Sequence, residues 1–108
     1  MSTGSPDPGS AAAVVRVVDN RALARYEATV GDELAGVAAY RLTGTGIALT
    51  HTRVLPAFEG RGVGSALARS ALNDARHRGL TVQPVCAFMA SWIERHPDYA
   101  DLVATDLS

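Results

Sequence analysis

The chain has a single cysteine, Cys86, so it can form no internal disulfide and no cysteine-rich metal cage, and it suits a reducing compartment. Long apolar runs are also missing. The longest, Ala11 to Val15 and Leu34 to Tyr40, fall far short of the roughly 20 residues that a membrane helix needs. No charge of either sign dominates. Ten Lys plus Arg against eleven Asp plus Glu give a formal net charge of -1, which supplies no general drive toward nucleic acid or an anionic membrane. The opening stretch lacks the basic start and apolar segment of a signal peptide; its Gly, Ser and Pro read as a disordered tail over residues 1–12, ahead of one domain over 13–108. These absences predict a soluble, cytoplasmic protein with no nucleic-acid or membrane partner, whose function rests on one site.

What is present is a change of period. Ala13 to Val18 and Arg25 to Val30 read as strands, the second followed by the turn signal Gly31-Asp32. Leu34 to Leu42 is a near-continuous apolar run, Thr43-Gly44-Thr45-Gly46 supplies a turn, and Ile47 to Val54 is rich in β-branched residues. After Pro56, Val63, Leu67, Ala71 and Ala75 recur every fourth residue with Arg69, Asn73 and Arg76 opposite, the pattern of an amphipathic helix. Arg76-His77-Arg78 and then Gly79 end it, cations meeting the negative end of the dipole and glycine taking the left-handed cap. Leu80 to Cys86 reads as a fifth strand. Phe88 with Trp92 and Met89 with Ile93 set a second helix, stopped by Pro97. The predicted fold class is α/β, an α+β mixed sheet: an antiparallel meander, a parallel strand-helix-strand crossover, and a C-terminal helix.

Between the fourth strand and the long helix stands Glu59-Gly60-Arg61-Gly62-Val63-Gly64-Ser65. Glycines there let backbone approach a ligand, and the unpaired amides and positive dipole end of the first helical turn favour a phosphate or pyrophosphate. Arg61 can add a charge-assisted bond. The Gly-Lys-Ser/Thr of a P-loop is missing, and Ser65 stands where the dinucleotide fingerprint needs glycine. A glycine-rich helix start with no ligand remains the alternative from this segment alone.

The segment resembles the Gln/Arg-x-x-Gly-x-Gly/Ala pyrophosphate loop of GNAT acyltransferases, with Glu59 in place of the usual Gln or Arg. Further motifs, His51-Thr52-Arg53-Val54, Pro84-Val85-Cys86-Ala87-Phe88, Trp92-Ile93 and His96-Pro97-Asp98-Tyr99, resemble a short stand-alone GNAT-like family over about Arg25 to Val103. The resemblance implies a truncated GNAT fold and acetyl-coenzyme A as co-substrate. It puts the amides of Arg61 to Ser65 on the pyrophosphate, the pantetheine arm beside the fourth strand, and Cys86 in the active site. Pro84 cannot donate a ladder hydrogen bond, so the fourth and fifth strands are expected to part there and free backbone groups of Arg53 and Val54 for the pantetheine amides, the alternative being that Pro84 simply ends an edge strand.

Acetyl transfer to an amine needs donors for the carbonyl oxygen and a proton for the departing thiolate. Cys86 can serve as acyl-carrying nucleophile, as proton donor, or as general base. The helix that follows it favours negative charge on the sulfur, while a buried cysteine that merely packs is the competing reading. His51, read on one strand face with Ile47, Leu49 and Arg53, can take the amine proton or bond across the cleft; a half-buried, satisfied histidine is its alternative. His77 suits a solvated place at the helix end. The His96-to-Tyr99 motif reads as a helix stop with hydrogen-bonded tips rather than a base and phenol, and Phe88, Trp92 and Ile93 read as core. Arg69, Asn73, Arg76 and Arg78 either touch the nucleotide end of the cofactor or form a solvated face. The histidines lie too far apart for a metal site.

The resulting expectation is an acetyl-coenzyme A dependent N-acetyltransferase. Little chain follows Tyr99 to enclose an acceptor, so the site should be open, suited to a protein or peptide amine or completed by a partner. A non-catalytic module that binds or senses acyl-coenzyme A, and an interaction domain without ligand, are the two other readings.

Overall fold

A computed structural model describes residues 14–104; the tail expected over 1–12 lies outside the described residues. Five strands, β1 (Val15–Asn20), β2 (Arg25–Val30), β3 (Glu33–Leu42), β4 (Gly46–Val54) and β5 (Thr81–Pro84), form one sheet in chain order. β1 to β4 pair antiparallel and β4 with β5 parallel. Helix α1 (Val63–Arg78) makes the crossover between β4 and β5, and α2 (Ala87–Glu94) follows β5. The fold is mixed α/β, as the change of period implies. Pro97 ends the helical pattern, but the chain continues as a 3₁₀ helix, Pro97–Leu102, and Val103 forms a parallel bridge to Val82. β5 stops two residues short of the Leu80-to-Cys86 reading, because Pro84 has no N–H to donate and the next residues turn into α2. No helix among the described residues is long and apolar enough to cross a membrane.

Both helices share a core with one sheet face. Leu67 and Leu72 of α1 and Met89 and Trp92 of α2 are buried against Tyr26, Ala38, Ile47, Leu49 and Val82. The C-terminal half of α1 is tied down by charge. The Tyr26 hydroxyl donates to Asp74 at 2.6 Å, and Arg78 donates to the same carboxylate at 3.0 Å. Burial works against the charge on Asp74, but these two hydrogen bonds outweigh it and hold the carboxyl below its ordinary range. Tyr40 donates to Asp19 at 2.6 Å, and burial followed by that contact pushes its phenol up to about 12. Arg76 binds Asp101 at 3.0 Å, so Arg76 and Arg78, two candidates for nucleotide contact, are engaged with carboxylates.

Two register shifts break the meander. In β4 the partner of Tyr40 is Leu49 and that of Ala39 is His51, which leaves Thr50 as an extra residue in a bulge. The bulge resets the alternation: Ile47 and Leu49 face the core, and after it Thr52 and Val54 do so while His51 and Arg53 are exposed on the other face. His51 therefore shares a face with Arg53 but not with Ile47 and Leu49, a correction to uninterrupted alternation.

Gly36 of β3 lies under the start of α1. An added Cβ would stand 2.8 Å from the Arg53 carbonyl oxygen and 3.0 Å from Val63 Cγ1. The oxygen belongs to the sheet backbone and cannot swing aside. Gly36→Ala is expected to cost about 1–3 kcal/mol by overpacking, read as a lowered denaturant midpoint; an unchanged midpoint would show that this junction is loose.

Candidate active site at the β4–α1 junction

A 3₁₀ turn, Pro56–Phe58, carries the chain from β4 to the glycine loop. Gly60 and Gly62 have φ of 80° and 78°, and a Cβ at either would meet nothing within 4 Å, so backbone conformation rather than crowding calls for glycine here. The loop leaves donors unspent. Ala66 N–H bonds the Gly62 carbonyl at 2.9 Å, and the N–H groups from Gly60 to Ser65 reach no described backbone carbonyl. They gather at the positive end of a 16-residue helix with no acidic residue in its first turn. A cleft of about 250 Å³ opens over them, walled by Val54, Phe58 and Phe88 and lined by Glu59, Gly60 and Gly62 to Ser65. Such a surface accepts an anion through backbone alone. The Arg61 guanidinium stands over the Phe58 ring at 5.8 Å, beside the lining rather than in it.

α2 shapes this cleft from the far side. Phe88 is so close to α1 that a Cβ on Gly64 would lie 2.8 Å from its ring, which makes Gly64 the residue of close approach. Trp92 Nε1–H donates to Ser65 Oγ at 3.0 Å, and an oxygen that accepts there keeps its own O–H free to donate into the cleft. His96 stacks on Trp92 with centroids 3.6 Å apart, and its Nδ1 lies 2.7 Å from the Trp92 carbonyl oxygen. Arg69 covers Trp92 at 5.3 Å, and Tyr99 donates to Asn73 at 2.8 Å. The His96-to-Tyr99 motif thus acts on the site through Trp92, its polar tips hydrogen-bonded. Periodicity alone identified Trp92 as core and gave no signal of its bond to Ser65, 27 positions away.

The other wall is a split sheet. Paired residues of β4 and β5 end at Leu49 and Pro84, and Cys86 N–H then bonds the Leu49 carbonyl at 3.0 Å. β4 runs on to Val54 with no described residue paired on that side. Leu55 N–H bonds the Ala35 carbonyl at 2.8 Å, so alternation turns the backbone of Arg53 toward β3 and that of Thr52 and Val54 toward the open edge. Val54 offers free groups there; Thr52 takes the place expected of Arg53, because pairing with Val37 consumes Arg53's backbone groups.

Cys86 is the N-cap residue of α2, half-buried, with Sγ 3.3 Å from Thr52 Oγ1. The contact spans the split. Thr52 stands within the His-Thr-x-Val segment, but strand alternation without the bulge turns it away from the core and hides this pairing. The structure brings Cys86 to Thr52, two residues before the cleft-lining Val54, while His51 lies on the opposite sheet face. Among the described residues no group of His, Cys, Asp and Glu has metal-binding geometry.

No curated protein matches the sequence. The fold is similar to the NMR solution structure of a GCN5-like protein from Staphylococcus aureus, with a TM-score of 0.64, 22% identity, and coverage of 87% of this chain and 90% of that one. A family model for the GCN5-related N-acetyl-transferases matches residues 25–102, most of the chain and the whole of the site just described. The chain belongs to the GCN5-related N-acetyltransferase family.

Proposed function

We propose that the protein transfers an acetyl group from acetyl-coenzyme A to an amine, with a peptide or protein amine as acceptor. One observation carries this reading: unspent amides from Gly60 to Ser65 and the unpaired edge of β4 border one cleft, beside the only cysteine of the chain. The amides suit a pyrophosphate, and the Ser65 hydroxyl and Arg61 add donors. The open edge at Thr52 and Val54 suits the two amides of pantetheine, which would extend the sheet as a half-strand. Acetyl-coenzyme A, when bound, supplies the thioester that the amine attacks.

The remaining chemistry falls to Cys86 and its surroundings. Its Sγ–H holds a proton that a departing thiolate needs, and the contact with Thr52 Oγ1 holds the sulfur at the parted strands until that thiolate replaces the threonine as acceptor. Solvent or the acceptor's ammonium proton then restores the thiol. His51 can take the acceptor's proton only from the outer sheet face. Glu59 is the one acid in the cleft lining, and it weakens an otherwise anion-accepting surface.

The test is turnover of acetyl-coenzyme A with a panel of amines and peptides, read by release of free thiol. Acetylated product with at least one acceptor is expected. Binding of the cofactor with no product from any acceptor would favour the non-catalytic binding module instead.

A further inference from the structure

Among the described residues the helices cover one face of the sheet and leave the other bare. Val18 on that face is 59% exposed, although it lies within a strand. The registers define its cross-strand rows: Arg25, Ala39 and His51 align in one, Glu27, Val37 and Arg53 in the next, and Arg41 with Ala48 in a third. Neighbouring strands stand ~4.8 Å apart, so these side chains form a continuous patch. Its centre is low, with the half-buried Val37 and Ala39 as the floor and Ala48 fully buried, and the long cationic side chains stand around it.

The charge of this patch contrasts with the formal net charge of -1 for the chain. Glu27 is its one carboxylate among the described residues, and it is held by Arg25 at 2.8 Å and Asn20 at 3.1 Å. Arg41 and Arg53 have no described carboxylate within ion-pair distance. His51 and Arg53 also flank Thr52, whose backbone faces the open edge of β4. The cationic patch therefore borders the place where the acyl group would be handed over, on the side away from the glycine cleft.

We propose that this bare face binds the acceptor, and that the acceptor is an acidic peptide segment whose carboxylates lie a few residues from the reacting amine. The choice of an acceptor as occupant rests on the acyltransferase reading above; the preference for carboxylates rests on the charge of the face alone. A nucleic acid fits less well. All six aromatic residues lie elsewhere, in the core or on the helical side, so the face offers bases no ring to stack on. Small apolar residues ringed by cations instead suit an extended chain with alternating carboxylates.

The probe is a C-terminally labelled hexapeptide with a free N-terminus and four glutamates, compared with its glutamine counterpart by fluorescence anisotropy, without cofactor. The acidic peptide is expected to bind about tenfold more tightly at low salt, and most of the difference should vanish at about 1 M salt, where the Debye length is near 3 Å. Arg41→Glu should abolish the preference, and Glu27→Gln should increase it. Equal affinity of the two peptides, no response to Arg41→Glu in a protein that still melts cooperatively, or tighter binding of a single-stranded oligonucleotide of matched charge would overturn the proposal. Acetyl-coenzyme A titrated into the same samples separates the two questions: failure to bind it counts against the acyltransferase reading, whereas loss of peptide preference with cofactor binding retained counts against the acidic acceptor alone.

Discussion

Cys86→Ala is expected to reduce acetyl transfer by about 10²–10⁴-fold, the range for removing a positioned acid or base, and to leave the dissociation constant for acetyl-coenzyme A within about threefold. The split follows from where the residue stands. Its sulfur contacts Thr52 across the parted strands, and the proposed anion cradle lies in the separate run from Gly60 to Ser65. The backbone role of residue 86 survives the change, because its N–H to Leu49 and its carbonyl to Ala90 belong to the main chain. A free thiol assay paired with calorimetric titration reads both quantities. Unchanged turnover would reduce Cys86 to packing, and a parallel loss of binding would mean that the substitution damages the cleft rather than the chemistry. Thr52→Val extends the test: it leaves the thiol in place and removes its partner, so a smaller loss of turnover with binding unchanged is expected.

The second large effect is on binding. Gly62→Val forces a β-branched residue to adopt a φ of 78°, at a cost of about 1–2 kcal/mol or more, since the left-handed region crowds Cβ against the carbonyl oxygen. The loop has an escape in turning away, which withdraws its amides from the cleft. Loss of one hydrogen bond to a charged phosphate is worth about 1.5–3 kcal/mol, so affinity for acetyl-coenzyme A should fall by about tenfold to a hundredfold. Gly31→Val is the control. Gly31 has a φ of 62° and open space, but it lies in the turn between β2 and β3, outside the glycine loop and the cleft lining. It should show a similar stability loss with no loss of affinity. Equal loss of affinity in both variants would mean that stability, not loop geometry, governs binding.

Most of the architecture was legible because each element carries its own period. The fourfold repeat of Val63, Leu67, Ala71 and Ala75, closed by Gly79, corresponds to α1, and Gly79 indeed takes the left-handed cap. The meander could be read from β-branched runs and glycine turns. What escaped the sequence was whatever depends on contacts between distant segments. Leu49-Thr50-His51-Thr52 alternates plausibly as it stands, so nothing local marks Thr50 as the bulged residue; only pairing with Ala39 and Tyr40 does. That single shift moved His51 away from the core side and brought Thr52 to Cys86. Gly36 sits inside an apolar run and needs no unusual backbone there, so its tight contact with the Arg53 carbonyl is a tertiary fact. The cationic face was hidden in the same way. Its arginines, Arg16, Arg25, Arg41 and Arg53, are scattered along four strands, and a net charge summed over the chain cancels them.

On the proposed reading, one cleft uses backbone groups from two segments, the glycine loop and the unpaired edge of β4. Titration of acetyl-coenzyme A into ¹⁵N-labelled protein reads those groups one by one. The largest amide shifts are expected to cluster at Gly60 to Ser65 and at Thr52 and Val54, with Arg16 and Val18, on the bare face in β1, unmoved. Shifts confined to that bare face, or none at millimolar ligand, would contradict that reading.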